Sequence, residues 1–356
     1  MFKSIRAALL AASLVALLAL GTAATVAQDA PAEGEGGVIV WGNQRGSSNL
    51  GPLVPIRCSG VDCADMNNLM YPDFIGLDPE TLSFQPYTED NLVENAMATA
   101  WEASEDGLSY TFTLRDDLVW SDGEAITAED IYFSFQAIQN GDAIGLSSSY
   151  GPARSDIASV DLVDDTTVVV NFNEANCLAL NRAALVPPVP AHAYGFDIEN
   201  EDAFDFTTMN GHPFDTEPTV TSGTFSFNRV EPGTGVFLEA YSEYPGGTLP
   251  EGLAYIDVPD YNVMATRLLS GQDGDVNFMF EPDNAVLPQL RESDAQVFEA
   301  PGTIWHYVAL NVADPADPQP GLDEEGNPID QGIHPLFGDV TVRQALQHAV
   351  DIEQII

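Results

Sequence analysis

Between Asn91 and Ile138 the chain reads NLVENAMATAWEASEDGLSYTFTLRDDLVWSDGEAITAEDIYFSFQAI, and its local chemistry dictates one compact unit. Glu105-Asp106-Gly107 is turn chemistry, with a glycine free to take positive φ. Tyr110, Phe112 and Leu114 alternate with Thr111, Thr113 and Arg115, the period of a half-buried strand. Ser121-Asp122-Gly123-Glu124 makes a second turn. Thr127 is placed to cap a helix, with Glu129 and Asp130 in the first turn where the helix dipole favours negative charge. Ile131, Phe135 and Ile138 then recur at helical spacing and give that helix one apolar face. The carboxylates fall at turns and at a helix start, so the unit reads as scaffold rather than chemistry.

Composition narrows the partners. The chain has 356 residues, enough for two or more domains, and 55 acidic against 11 basic residues give a net charge of −44. Such a surface repels nucleic acid and anionic membranes, so no nucleic-acid partner is expected. A halophilic or marine source would account for it, and so would an ordinary acidic secreted protein. Lys3 is the only lysine.

Residues 1–27 pair Lys3 and Arg6 with an uncharged run from Ala7 to Ala27 that ends in small residues. This is the pattern of a signal peptide cleaved near Ala27, and the run is also long enough to serve as an uncleaved anchor. Residues 28–37 read as a flexible leader. Cys58 and Cys63 can pair across the loop RCSGVDC in an exported protein. C-x4-C without a companion pair is a poor zinc signal, so no metal is expected. Cys177 is left single and is expected to be buried as a small apolar residue.

Further along, Val38 to Trp41 forms a short apolar strand that runs into the polar loop 42–49. The small residues at the strand's end would let a ligand approach the backbone. Val160–Val163 and Thr166–Phe172 flank Asp164-Asp165 as a hairpin, with Val168-Val169-Val170 suggesting burial on both faces. Thr224–Phe227 and Val236–Glu239 make a second pair of strands. Near the end of the chain Thr341 and Gln344 form a capping box, and Val342, Leu346 and Ala349 an inner stripe. The chain stops on Ile355-Ile356 with no glycine cap and no terminal basic residue, which suggests truncation.

The matched residues of the opening unit resemble the signature of the family 5 extracellular solute-binding proteins, the peptide- and nickel-type receptors of ABC importers. They are Ala100-Trp101-Glu102, Glu105-Asp106-Gly107-Leu108, Tyr110-Thr111-Phe112-Thr113-Leu114-Arg115, Trp120-Ser121-Asp122-Gly123 and Thr127-Ala128-Glu129-Asp130-Ile131 with Phe133-Ser134-Phe135. Leu69 to Pro72 before it, and Val186 to His192, Trp305 to Asn311 and His334 to Asp351 after it, resemble other segments of that family. Ser222-Gly223-Thr224-Phe225 departs from the family's Gly-Thr-Gly-Pro-Tyr, and Gln272-Asp273-Gly274 from its simple Gly-Glu.

The resemblance runs from about Val38 to Ile356. It implies an α/β, two-lobed periplasmic-binding-protein fold (type II, cluster C-like) with an extra subdomain in lobe I and an incomplete second lobe. Residues 38–59 and 216–258 would form lobe I, 60–215 the extra subdomain, and 259–356 the start of lobe II. The implied function is capture of a small-molecule or peptide-like solute outside the cytoplasmic membrane and delivery to ABC permease subunits, by a monomer without cofactor. Candidate ligand contacts are Arg45, Ser47, Ser48 and Asn49 after the first strand, together with Trp305, His306 and Tyr307. Residues 28–356 alone are expected to bind weakly, because half the cleft would be missing.

No Gly-x-Ser-x-Gly elbow, P-loop or His-Glu-x-x-His motif occurs, and the five histidines are scattered. With 55 carboxylates a glycosidase-like pair could arise by chance, so a secreted hydrolase acting on peptides or glycosides is the alternative.

Overall fold

The computed structural model describes residues 37–351 apart from 45–49, 79–80, 92, 94, 247–249, 273, 299–306 and 324–326. Contacts divide the chain into two compact units, with the boundary between Gln296 and Val297. The expected signal peptide, and the leader up to residue 36, lie outside the described residues.

The first unit opens with β1 (Val38–Asn43), followed by α1 (Val61–Met70), β2 (Gly76–Leu77), β3 (Phe84–Gln85), β4 (Ala98–Ala103) and β5 (Ser109–Leu114). Next come α2 (Ala128–Gln139), α3 (Gly141–Ile144), α4 (Gly151–Asp156), β6 (Ile157–Asp164), β7 (Thr167–Phe172) and α5 (Ala179–Ala184). The unit continues with β8 (Phe225–Glu231), β9 (Gly235–Ala240), β10 (Gly252–Asp257), α6 (Tyr261–Ser270), β11 (Phe278–Met279) and α7 (Leu287–Arg291). The second unit contains α8 (Val340–Ala349).

Two sheets dominate the first unit. An antiparallel sheet of order β4-β5-β7-β6 belongs to the middle of the chain. A mixed sheet of order β11-β1-β10-β9-β8 sets β1 beside β10 and β11, both more than two hundred residues later. In it β1 runs parallel to both β10 and β11, while β10, β9 and β8 are antiparallel. One apolar core, from Leu50 to Tyr255, spans both sheets.

The opening unit of the sequence folds as its chemistry requires. The Thr127 hydroxyl accepts from Glu129 N at 3.2 Å, and Asp130 Oδ2 accepts from Thr127 N at 3.0 Å, which closes the helix start. Ile131, Phe135 and Ile138 are buried as their spacing demands. Phe133 is buried too, against Phe196 at 4.9 Å and Phe204 at 5.6 Å, so a second face of α2 is covered by the segment after α5. Asp130 also accepts from Trp120 Nε1 at 3.3 Å and Ala191 N at 3.0 Å, binding three chain segments together.

Four sequence expectations change. Val168 and Val170 are buried but Val169 only half so, because β7 alternates between faces. Cys177 is exposed, lying in the polar turn that precedes α5. The cap of α8 is Asp339, whose carboxylate accepts from Thr341 N at 2.8 Å, rather than Thr341. Leu346 and Ala349 are exposed and Val342 half-buried, because the described residues of that unit bring no apolar partner to the stripe.

The departure at Ser222-Gly223 has a clear backbone path. Ser222 N and Gly223 N both donate to Met70 O, at 2.9 and 2.8 Å, where α1 ends. A β-carbon on Gly223 would lie 2.5 Å from the carbonyl carbon of Met70, so only glycine fits this approach.

Candidate functional site at the carboxyl ends of the parallel strands

Because β1, β10 and β11 are parallel, their carboxyl ends share one edge of the mixed sheet. In open α/β sheets ligands settle in the crevice outside such ends. A small concavity of about 20 Å³ opens here. Trp41, Asn43 and Gln44 contribute from the end of β1, Tyr255 from β10, and Phe280 and Glu281 from just past β11. Asp65 of α1 and Tyr261 at the start of α6 complete the wall.

The aromatic side has a defined build. Trp41 and Tyr255 are register partners on adjacent strands, and their rings meet edge-on with centroids 5.0 Å apart. Phe278 of β11 and Phe280 just past it approach Trp41 edge-on at 5.3 and 6.1 Å. Edge-to-face contacts at these distances hold rings in fixed orientations. Trp41 stays half-buried and Phe280 is 53 % exposed, so part of this aromatic wall faces out.

The polar side is carboxylate-rich. Buried Tyr255 donates its hydroxyl to Asp62 Oδ1 at 2.7 Å and lies 3.5 Å from Asp65 Oδ2. Asp62 and Asp65 sit in the first turns of α1. Glu281 has φ of 48°, the left-handed region, which costs a non-glycine residue about 1 kcal/mol. Strain of that kind gathers at functional sites, where surrounding structure holds it in place. The arrangement suits reversible binding: rings to stack on and carboxylates to accept hydrogen bonds. Among the described residues no group of three His, Cys, Asp or Glu side chains is placed to hold a metal ion.

Arg45, Ser47, Ser48 and Asn49 lie outside the described residues, as do Trp305 and His306. Tyr307 is described, in the second unit, and is 71 % exposed. Gly42, expected to leave room for a ligand, instead makes room for the helix behind it: a β-carbon there would lie 2.8 Å from Met264 Cγ of α6. Cys58 and Cys63 are bonded, with Cα atoms 5.8 Å apart. Sequence reasoning missed Trp41, Tyr255, Asp62, Asp65, Tyr261, Phe280 and Glu281. The aromatic alternation Phe278-x-Phe280 was the one local signal, and the Trp41–Tyr255 contact required knowing the strand register.

The mixed sheet with its crevice at the parallel strands' carboxyl ends is that of a type II periplasmic-binding-protein fold. Solved structures agree. The mannopinic acid-bound binding protein MoaA from A. tumefaciens R10 superimposes with a TM-score of 0.62 at 21% identity, over 90% of this chain and 56% of that one. AppA, the oligopeptide-binding protein of Bacillus subtilis, in complex with a nonapeptide, gives 0.58 at 20% identity, over 73% and 46%. Residues 93–356 match the family model of the bacterial extracellular solute-binding proteins, family 5, and the chain belongs to that family.

Among curated relatives, a Brucella ovis protein bearing the name of an ABC transporter peptide-binding protein is 28% identical over 270 residues, covering 75% of this chain and 45% of its own length. Heme-binding protein A of Haemophilus influenzae is 28% identical over 287 residues, covering 74% and 46%. The chain thus spans about half the length of the curated relatives it matches. The hydrolase alternative finds no support among them.

Proposed function

We propose that this protein is the solute-capturing component of an ABC importer, binding a peptide-like solute outside the cytoplasmic membrane and handing it to permease subunits. The observation that carries this reading is the half-exposed aromatic wall, edged by carboxylates, at the carboxyl ends of β1, β10 and β11. Family membership and the names of the relatives support it. In this reading Arg45, Ser47, Ser48 and Asn49 extend the crevice from β1, and Trp305, His306 and Tyr307 contact the solute from the following segment. Residues 38–59 and 216–258 belong to lobe I and 60–215 to its subdomain, with lobe I carried past the expected boundary at 259 by β11, which pairs with β1. Residues 1–27 direct export, the protein works as a monomer, and it catalyses nothing.

Calorimetry with pools of peptides from dipeptides to nonapeptides, followed by mass spectrometry of the recovered peptides, tests the proposal. Saturable binding with every peptide recovered intact is the expected result. Cleaved peptides, or no saturable binding by any pool up to its solubility, would sink it.

A further inference from the structure

The bridge between Cys58 and Cys63 closes a six-residue segment that ends inside α1. Cys63 is the third residue of that helix, fully buried, and its sulfur accepts from Gly60 N at 3.3 Å. Gly60 stands at the cap position with no side chain to offer, and the sulfur makes the reciprocal half of a capping box, the bond from the third helical residue back to the cap residue's N–H. The two halves of α1 are anchored differently. Met66 and Met70 hold the later half in the core, with no exposed side-chain surface. In the first turn Val61 is 55 % exposed, and Cys63 is the buried residue.

Asp62 lies in that first turn and Asp65 follows, one on either side of Cys63. Their carboxylates meet the Tyr255 hydroxyl, and the Tyr255 ring seats Trp41 at the mouth of the concavity.

We infer that the Cys58–Cys63 bridge is a positioning element of the solute site: it fixes the first turn of α1 so that Asp62 orients Tyr255, and Tyr255 in turn sets the edge-on seat of Trp41. This rests on reading the concavity as the solute site. Its test reads the site without any solute, so the two can fail separately. A bridge serving only as a staple would stabilise the fold without favouring any one ring. A positioning bridge acts on Trp41 in particular.

The experiment is fluorine NMR of the full chain labelled with fluorotryptophan, the Trp41 line being assigned by Trp41→Phe. In the double variant Cys58→Ala/Cys63→Ala the Trp41 line moves or broadens while those of Trp101 and Trp120 hold. With the bridge intact, Asp62→Ala and Tyr255→Phe each move the same line. In a Tyr255→Phe background, loss of the bridge adds no further change. An unmoved Trp41 line, or lines of Trp101 and Trp120 that move along with it, would overturn the inference. So would a bridge effect that survives Tyr255→Phe; where the double variant does not fold, reducing the bridge in the folded wild-type chain reads its effect on the same lines.

Discussion

Asp130 shows how one residue can carry several elements. Its carboxylate takes N–H groups from Trp120, Thr127 and Ala191 in a site only 4 % exposed, where burial pushes its carboxyl above the usual range and those bonds pull it back. Asp130→Ala strands buried donors that cost about 1–3 kcal/mol each when unsatisfied, and urea unfolding is expected to show a loss of ~3 kcal/mol. Asp156 shows the opposite electrostatics. The Arg182 guanidinium donates to it at 2.7 Å and, with Ser155, holds its carboxyl below the usual range. A lowered folded value means stability that is present above the unfolded pKa of about 3.9 and lost as pH falls through the folded one. Arg182→Gln should therefore raise the Asp156 titration midpoint, as read by carbon NMR of the carboxyl group, and move the onset of acid unfolding to higher pH. The role of Asp130 was half legible: its place in the first turn after Thr127 is helix-start chemistry, but nothing local announces that Ala191 will close on the same carboxylate, and the Asp156–Arg182 pair, twenty-six residues apart, was not legible at all.

At the scale of elements, sequence periodicity succeeded where one segment fixes its own surroundings and failed where a distant one does. The turn, strand, turn and capped helix of 105–138 formed because each signal lies within a few residues of its effect. The cap of α8 moved from Thr341 to Asp339, since either residue can supply the oxygen and backbone geometry decides between them. The wall of Trp41, Tyr255, Phe278 and Phe280 was not legible, because rings from three strands meet only once the register of β1 with β10 and β11 is set. Two elements invite direct tests. Gly223→Ala drives a β-carbon into the backbone at the end of α1, and a loss of ~3 kcal/mol is expected in chemical denaturation, at the upper end for overpacking. Removing the Cys58–Cys63 bridge frees a six-residue loop, for which chain entropy predicts a loss of ~2 kcal/mol by the same measurement.

For the whole molecule the governing quantity is a net charge of −44. Like charges repel across the folded surface more than along an expanded chain, so the native state bears the larger penalty. Raising salt from about 0.01 M to about 1 M shortens the screening length from roughly 30 Å to roughly 3 Å. The thermal midpoint is expected to climb over that range, and scanning calorimetry in KCl checks it; a flat response would show that the charges are already compensated. Composition made this property legible without any structure. The fold class was legible from the motifs of one family, whereas the site waited on the mixed sheet.

That sheet also sets a clock. Its first strand, Val38–Asn43, leaves the ribosome more than two hundred residues before Gly252–Asp257, the partner that will lie beside it. At roughly 5–20 residues per second, synthesis leaves β1 waiting roughly 10–40 s with both edges bare. The apolar run Val38-Ile39-Val40-Trp41 is therefore the place where a nascent chain is most exposed to mispairing. Whatever accompanies the chain during its synthesis has to shield that tetrapeptide for longest.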